Sequence, residues 1–223
     1  MTKTLFITGA SSGIGAETAR HAAAAGWNVA LFARSEDKLR ALADEIGAQA
    51  LALPGDATDL AAQQQAVARA VEKFGGLDAA FANAGRGMAR PGIVEGDADD
   101  IAGMVALNVT GLLWTVRASL PELKKTRGTM VLTGSAAGRR HIAGSIYGAT
   151  KWFVHGYAGN LAEEMREWGG RCTVIAPGMV DTPFFDEGQP DKLKPEDVAD
   201  AVMHALTAPE RAAIREVFLM PQN

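Results

Sequence analysis

Cysteine occurs once in this 223-residue chain, at Cys172, so no disulfide can form within it. Its setting, RCTVIAP, is an apolar run in which a cysteine reads as a small buried side chain. Basic residues do not gather: 22 lysines and arginines against 26 acidic residues leave a net charge of −4. Without a block of cations to neutralise a phosphate backbone, no nucleic-acid partner is expected. The four histidines, His21, His141, His155 and His204, lie far apart with no cysteine or carboxylate at ligand spacing, and no metal site is expected. No uninterrupted apolar run nears the roughly 18 residues of a membrane span. The N-terminus reaches Gly9 before a signal-peptide core can build. The expectation is a soluble cytoplasmic protein with no membrane attachment.

What is present is a hydrophobic content of 48%, enough for a well-buried core, in a chain of a length that suits one domain over residues 1–223. Short runs rich in Val, Ile, Leu and Phe predict strands at Thr4–Thr8, Asn28–Ala33, Ala48–Leu53, Leu77–Ala82, Thr129–Thr133, Cys172–Ala176 and Val217–Met220. Between them, helical patterns cover Ile14–Ala25, Glu36–Ile46, Leu60–Phe74, Asp97–Lys125, Ser145–Trp168 and Pro195–Thr207, with SEDK and KPEDVA as helix starts. Strands that are apolar throughout are those buried on both faces of a parallel sheet. The alternation therefore predicts an α/β fold, a Rossmann-like doubly wound parallel sheet of about seven strands with helices on both faces. The stretch 184–195 is the most loop-like and is a candidate lid.

In TGASSGIG, the glycines Gly9, Gly13 and Gly15 follow a strand and open a helix, the context of a dinucleotide-binding turn. Gly9 allows the sharp turn, Gly13 lets backbone approach a pyrophosphate, and Gly15 lets the helix pack on the sheet. Ser11 and Ile14 complete the turn. Taken alone, a strand-to-helix turn also favours Gly and Ser for structural reasons. The next strand ends about 20 residues on, where an acid would bind the ribose diol of NAD. Ala33 stands there, followed by Arg34. An acid would repel a 2′-phosphate, whereas Arg34 offers it a planar donor fork, so NADP is expected over NAD. A solvated charge after a strand is the plainer alternative.

In IYGATKWF, Tyr147 and Lys151 are four residues apart on a helical pattern, hence on one face. Together with Thr8-Gly9, Gly13, Gly15, Asp56, Asn83-Ala84-Gly85, Asn108, Ser135 and Pro177-Gly178, this order and spacing resembles the short-chain dehydrogenase/reductase family over nearly the whole chain. The resemblance implies that Asp56 sits at the adenine and that Asn83, Ala84 and Gly85 steady the central strand beside the cofactor. It places Val180 and Thr182 at the nicotinamide carboxamide and Ser135 on the substrate oxygen. It gives Lys151 the nicotinamide ribose and Asn108 a relay water. The chain departs from the family's common pattern at Ala82, often Asn, and at Gly134-Ser135, commonly Ser-Ser.

Hydride transfer to a carbonyl leaves an alkoxide, so a proton donor must stand within reach of that oxygen, and Tyr147 is the candidate. A phenol titrates near ~10, and the adjacent Lys151 ammonium together with the positive oxidised nicotinamide is expected to pull it down. The function implied is hydride transfer between nicotinamide and a small ketone, aldehyde or 3-hydroxy acid. Arg86, Arg139 and Arg140 are candidate carboxylate partners, in loops expected near the pocket together with Met88, Ile142 and Met179 to Phe185. The patterns at 97–125 and 145–168 correspond to the family's dimer face, implying a homodimer or homotetramer. A catalytically silent NADP-binding sensor on the same fold is the alternative. A sugar-nucleotide epimerase would need a larger substrate domain than the tail beyond Pro177 provides, and a methyltransferase would want an acid where Ala33 stands.

Overall fold

The computed structural model describes residues 2–90, 92–185 and 187–222. Within them lie seven parallel strands: β1 (Thr4–Thr8), β2 (Asn28–Ala33), β3 (Ala50–Pro54), β4 (Ala79–Ala82), β5 (Thr129–Thr133), β6 (Arg171–Pro177) and β7 (Glu216–Leu219). Their order is β3-β2-β1-β4-β5-β6-β7. Every residue of β1 and β4 is buried, which is why neither alternates in sequence. The helices are α1 (Gly13–Ala24), α2 (Glu36–Ile46), α3 (Leu60–Phe74), α4 (Ala98–Val105), α5 (Leu112–Thr126), α6 (Ile146–Arg166) and α7 (Pro195–Thr207).

Two cores sandwich the sheet. Leu5, Ile7 and Leu31 pack under α1, α2 and α7, whereas Phe6, Phe32 and Leu132 pack under α3, α5 and α6. The chain runs outward from β1 to β3 and then returns to lay β4 against β1, so Phe6 is flanked by Ala30 on one side and Ala80 on the other. This reversal is the place where a doubly wound sheet opens a crevice beyond its carboxyl ends.

Differences from the sequence reading have local causes. β4 begins at Ala79 rather than Leu77 because Asp78 turns its carboxylate back to accept the Thr4 N–H at 2.8 Å. The helix predicted over 97–125 is interrupted by a π-helical stretch, Ala106–Gly111. At its end the Gly111 carbonyl accepts from Gln63 Nε2 at 3.1 Å and from Thr115 Oγ1 at 3.0 Å. Polar helix N-termini are closed as expected at α7, where Asp197 accepts the Lys194 N–H at 2.8 Å, but Ser35 makes no side-chain cap on α2.

The continuous helical stretch Ala98–Thr126 has the length and hydropathy to cross a membrane, although no uninterrupted apolar run shows it. Of its apolar positions, Leu112, Val116 and Leu123 are buried in the core, while Val105 is exposed. Cys172 is buried in β6, and burial pushes its thiol up to about 12, so it is a packing residue.

Candidate functional site

The carboxyl ends of β1 to β6 open into one cleft of about 1170 Å³. At its centre Asn83, just past β4, ties three strands together. Its backbone N–H donates to Thr8 Oγ1 at 3.1 Å, its Nδ2 donates to the Thr8 carbonyl at 3.1 Å, and its Oδ1 accepts from Thr133 Oγ1 at 3.2 Å. Ala84 and Gly85 follow along the cleft wall.

The glycine turn lines one half of the cleft with Gly9, Ser11, Gly13 and Ile14. Gly9 and Gly13 hold positive φ of 68° and 52°, a region that L side chains rarely adopt. Gly15 faces away from the cleft: a Cβ there would collide with the Gly9 carbonyl oxygen and meet Asn83 Nδ2 at 2.8 Å. It lets α1 approach the sheet and is not a wall of the cleft. Ser12, the N-cap of α1, makes no side-chain capping bond, so the first-turn N–H groups are left for whatever enters.

Such a cradle, with backbone donors at a helix N-terminus and no Cβ in the way, fits a pyrophosphate. Beyond it, Arg34 is exposed on the cleft rim after β2 and makes no hydrogen bond or ion pair among the described residues. Asp56 lies close by, and its carboxylate accepts from Thr58 N and Thr58 Oγ1, both at 2.8 Å. Those bonds, with the Arg34 charge, hold it below the usual carboxylate range.

The other half of the cleft is built by β5, α6 and the segment after β6. Ser135, the extended N-cap of a 3-10 turn (Ala136–Gly138), uses its Oγ to accept the Ala137 N–H at 3.1 Å and stands near enough to the Tyr147 phenol to pull it down. Tyr147 and Lys151 sit one turn apart on α6. Lys151 is 5% exposed, its Nζ donating to the Thr133 carbonyl at 2.8 Å and lying 5.6 Å from the centre of the Tyr147 ring. The Phe184 ring lies tilted against that ring, 5.5 Å between centroids. Among the chain's own groups burial dominates at Tyr147 and pushes the phenol up to about 12, with Ser135 acting against it. Burial likewise pushes the Lys151 ammonium down to about 8.

Pro177, Gly178, Val180 and Thr182 line the cleft after β6, with the Thr182 methyl 3.2 Å from where a Gly13 Cβ would stand. The 184–195 candidate lid is pinned at its neck. Leu193 N–H donates to the Met179 carbonyl at 3.2 Å, Asp181 N–H to the Leu193 carbonyl at 2.7 Å, and Lys194 Nζ to Asp181 at 2.8 Å. Asp186, within that stretch, lies outside the described residues.

Asn108 is not on the cleft wall. Buried in the π-helical stretch, it receives the Arg86 N–H at 2.9 Å and donates to the Arg86 carbonyl at 2.9 Å and to Thr150 Oγ1 at 3.3 Å. It clamps the loop after β4 to α6. Of the three candidate carboxylate partners, Arg86 is paired with Asp100 and Arg139 with Glu216, while Arg140, at the cleft, has no acidic partner among the described residues. Met88 lies off the cleft wall, and His141 is stacked on Trp152. Sequence reading missed Thr133 and Thr58, whose contributions are a main-chain carbonyl and a local turn with no pattern of their own.

A sequence profile described as short chain dehydrogenase matches residues 3–193. An uncharacterized oxidoreductase of Staphylococcus aureus is 34% identical over 98% of this chain and 97% of its own. An alcohol dehydrogenase from the archaeon Thermococcus sibiricus, solved with 5-hydroxy-NADP, superposes with a TM-score of 0.91 at 30% identity, covering 100% of this chain and 97% of that one. A 3-ketoacyl-(acyl-carrier-protein) reductase from Brucella melitensis, solved with NADH, superposes at 0.88 with 28% identity, covering 97% and 96%. With the cradle, the cleft and these likenesses in place, the chain belongs to the short-chain dehydrogenase/reductase family of nicotinamide-dependent oxidoreductases.

Proposed function

We propose that the protein is an NADP(H)-dependent reductase or dehydrogenase of a small carbonyl or secondary alcohol, with Tyr147 as the acid/base. The observation that carries this reading is the convergence of Ser135, Tyr147 and Lys151 at one end of a cleft whose other end is the glycine cradle and Arg34. The nicotinamide supplies or accepts the hydride. The residues do the rest. Gly9, Ser11, Gly13 and Ile14 hold the pyrophosphate, Arg34 the 2′-phosphate, Asp56 the adenine end, and Val180 and Thr182 the carboxamide. Ser135 and the Tyr147 hydroxyl donate hydrogen bonds to the substrate oxygen, and the Tyr147 proton passes to it as the alkoxide forms. Lys151 stabilises the phenolate left behind. Asn108 acts by fixing α6 and the Arg86 loop.

Arg140 makes a carboxylate the favoured substituent, since it alone of the three arginines has no acidic partner among the described residues and it shares the cleft with the apolar Ile142, Met179 and Phe184. The assay is loss of NADPH absorbance against a panel of small neutral ketones, aldehydes and 3-oxo acids, repeated in Arg140→Gln. Turnover of a panel member supports the reading, and selective loss for the acids in the variant supports Arg140. Binding of NADPH without turnover of any member would favour the sensor alternative.

The exposed face of α6, with Trp152, Gly156 and Gly159, is the proposed contact with a second copy, giving a homodimer or homotetramer in the cytoplasm. A monomer by light scattering would overturn the assembly.

A further inference from the structure

One turn beyond Lys151, His155 touches neither half of the cleft, yet its ring is seated beneath the turn that carries Ser135. The side chain is 11% exposed, and Nε2 lies 3.2 Å from the Ser135 carbonyl oxygen. A Cβ at Gly134 would come 2.9 Å from Nε2, and one at Gly138 would come 2.6 Å from Cδ2. The two glycines that flank the Ser135 turn therefore leave the room that the imidazole fills, shared at Gly134 with Val174, whose Cγ1 a Cβ would meet at 2.5 Å, and at Gly138 with the Lys151 backbone, at 2.7 Å.

The far side of the ring faces the edge of the sheet. Nδ1 is 3.6 Å from Oε1 of Glu216, the first residue of β7, and the same carboxylate receives Arg139 Nε at 2.9 Å. Arg139 closes the 3-10 turn that Ser135 opens and ties that end of it to β7, while His155 meets the other end at the Ser135 carbonyl. The charged groups facing the imidazole are Lys151 on its own helix, Arg139 on the turn and Glu216 on the strand. Burial, and to a lesser degree the Arg139 and Lys151 charges, hold the ring below the usual histidine value against the pull of the Ser135 bond. A neutral ring carrying its proton on Nε2 donates to the Ser135 carbonyl.

We infer that His155 is a positioning residue: its bond to the Ser135 carbonyl fixes that peptide and so keeps Ser135 Oγ aimed at the Tyr147 hydroxyl. The inference rests on the reading of Ser135 and Tyr147 as the pair that meets the substrate oxygen. Displacements of even about 1 Å in such a pair are costly to turnover. A loose Ser135 peptide lowers kcat and leaves the glycine cradle, some residues away in another loop, untouched.

The test compares His155→Leu, which fills the seat without a donor, with His155→Gln, whose amide restores one. Both are made in a Tyr157→Phe background, so that Tyr147 is the single tyrosine of the chain. The 13C resonance of its Cζ then reports the Ser135 hydrogen bond independently of activity. In His155→Leu, kcat is expected to fall about tenfold with the NADPH dissociation constant unchanged, and the Cζ resonance to move. In His155→Gln both are expected to return towards the parent. If His155→Leu leaves kcat and the resonance where they were, or if His155→Gln is as impaired as His155→Leu, the inference is overturned. If the parent turns over no carbonyl compound but the resonance responds as described, the proposed activity fails and the positioning role stands.

Discussion

Lys151 Nζ lies 5.6 Å from the centre of the Tyr147 ring while it donates to the Thr133 carbonyl at 2.8 Å. The end of β5 thus holds a nearly dry ammonium beneath a phenol. Without a partner charge in the cleft, burial favours the neutral form of each, which is why the tyrosine is pushed up to about 12 and the lysine down to about 8. A cationic nicotinamide would act against that balance for the tyrosine, since a nearby positive charge favours the phenolate.

Tyr147→Phe removes one hydroxyl and no bulk. The variant is expected to fold and to bind NADPH as the parent does, with turnover at least ~100-fold lower, as for loss of a positioned proton donor. Fluorescence titration and steady-state kinetics on one preparation check both halves. Turnover close to the parent would remove Tyr147 from the mechanism.

Lys151 makes stability depend on pH. Its folded value of about 8 lies below the unfolded 10.5, so between them the unfolded chain holds a proton that the folded chain lacks, and stability rises with pH across that window. The shift corresponds to about 3 kcal/mol of penalty at neutral pH, from which the bond to Thr133 returns about 1 kcal/mol. Lys151→Met should therefore melt higher than the parent at pH 7, and the margin should shrink from about pH 8 to 10.5. Melting curves at several pH values decide it, and a margin independent of pH would refute the burial argument.

Gly15→Ala tests a steric relationship instead of a chemical one. The new Cβ would strike the Gly9 carbonyl oxygen and Asn83, backbone and clamp that cannot yield, so a loss of about 1–3 kcal/mol in stability is expected. Because Gly15 is not on the cleft wall, the loss should be present without cofactor. A variant that melts like the parent and only binds NADPH more weakly would place Gly15 in the cleft after all.

Arg34 bears on cofactor choice. A charge-assisted fork on the 2′-phosphate contributes about 1.5–3 kcal/mol before solvent exposure is allowed for, or roughly ten- to a hundredfold in the preference for NADP(H). Ala33→Asp with Arg34→Gln removes that attraction and adds a repulsion, and should reverse the preference. The ratio of kcat/KM for the two cofactors in both proteins is the measurement. A parent that already prefers NAD(H) would make Arg34 a solvated rim charge.

Arg86, Arg139 and Arg140 show where sequence reading stops. All three lie in loops that the strand order brings near the cleft, and nothing in their neighbours separates them. Their pairing does: Asp100 is fourteen residues from Arg86 and Glu216 is seventy-seven from Arg139. Asn108 is a similar case, since its place in a π-helical stretch follows from bonds to Arg86 and Thr150 across other elements. The 97–125 pattern records apolar spacing and cannot register a one-residue widening that those bonds favour.

The order of strands and helices, the glycine turn and the Tyr147–Lys151 pair were determined by the sequence alone, because each depends on local spacing: apolar runs, a strand followed by glycines, four residues on a helix. Which strand lies beside which is already constrained by chain connectivity in a doubly wound sheet. Tertiary structure alone decided the electrostatics of Tyr147 and Lys151, the freedom of Arg140, and the seat of His155 between Gly134 and Gly138. Burial and long-range pairing are properties of the packed molecule, set by residues far away in the chain, and no local pattern carries them.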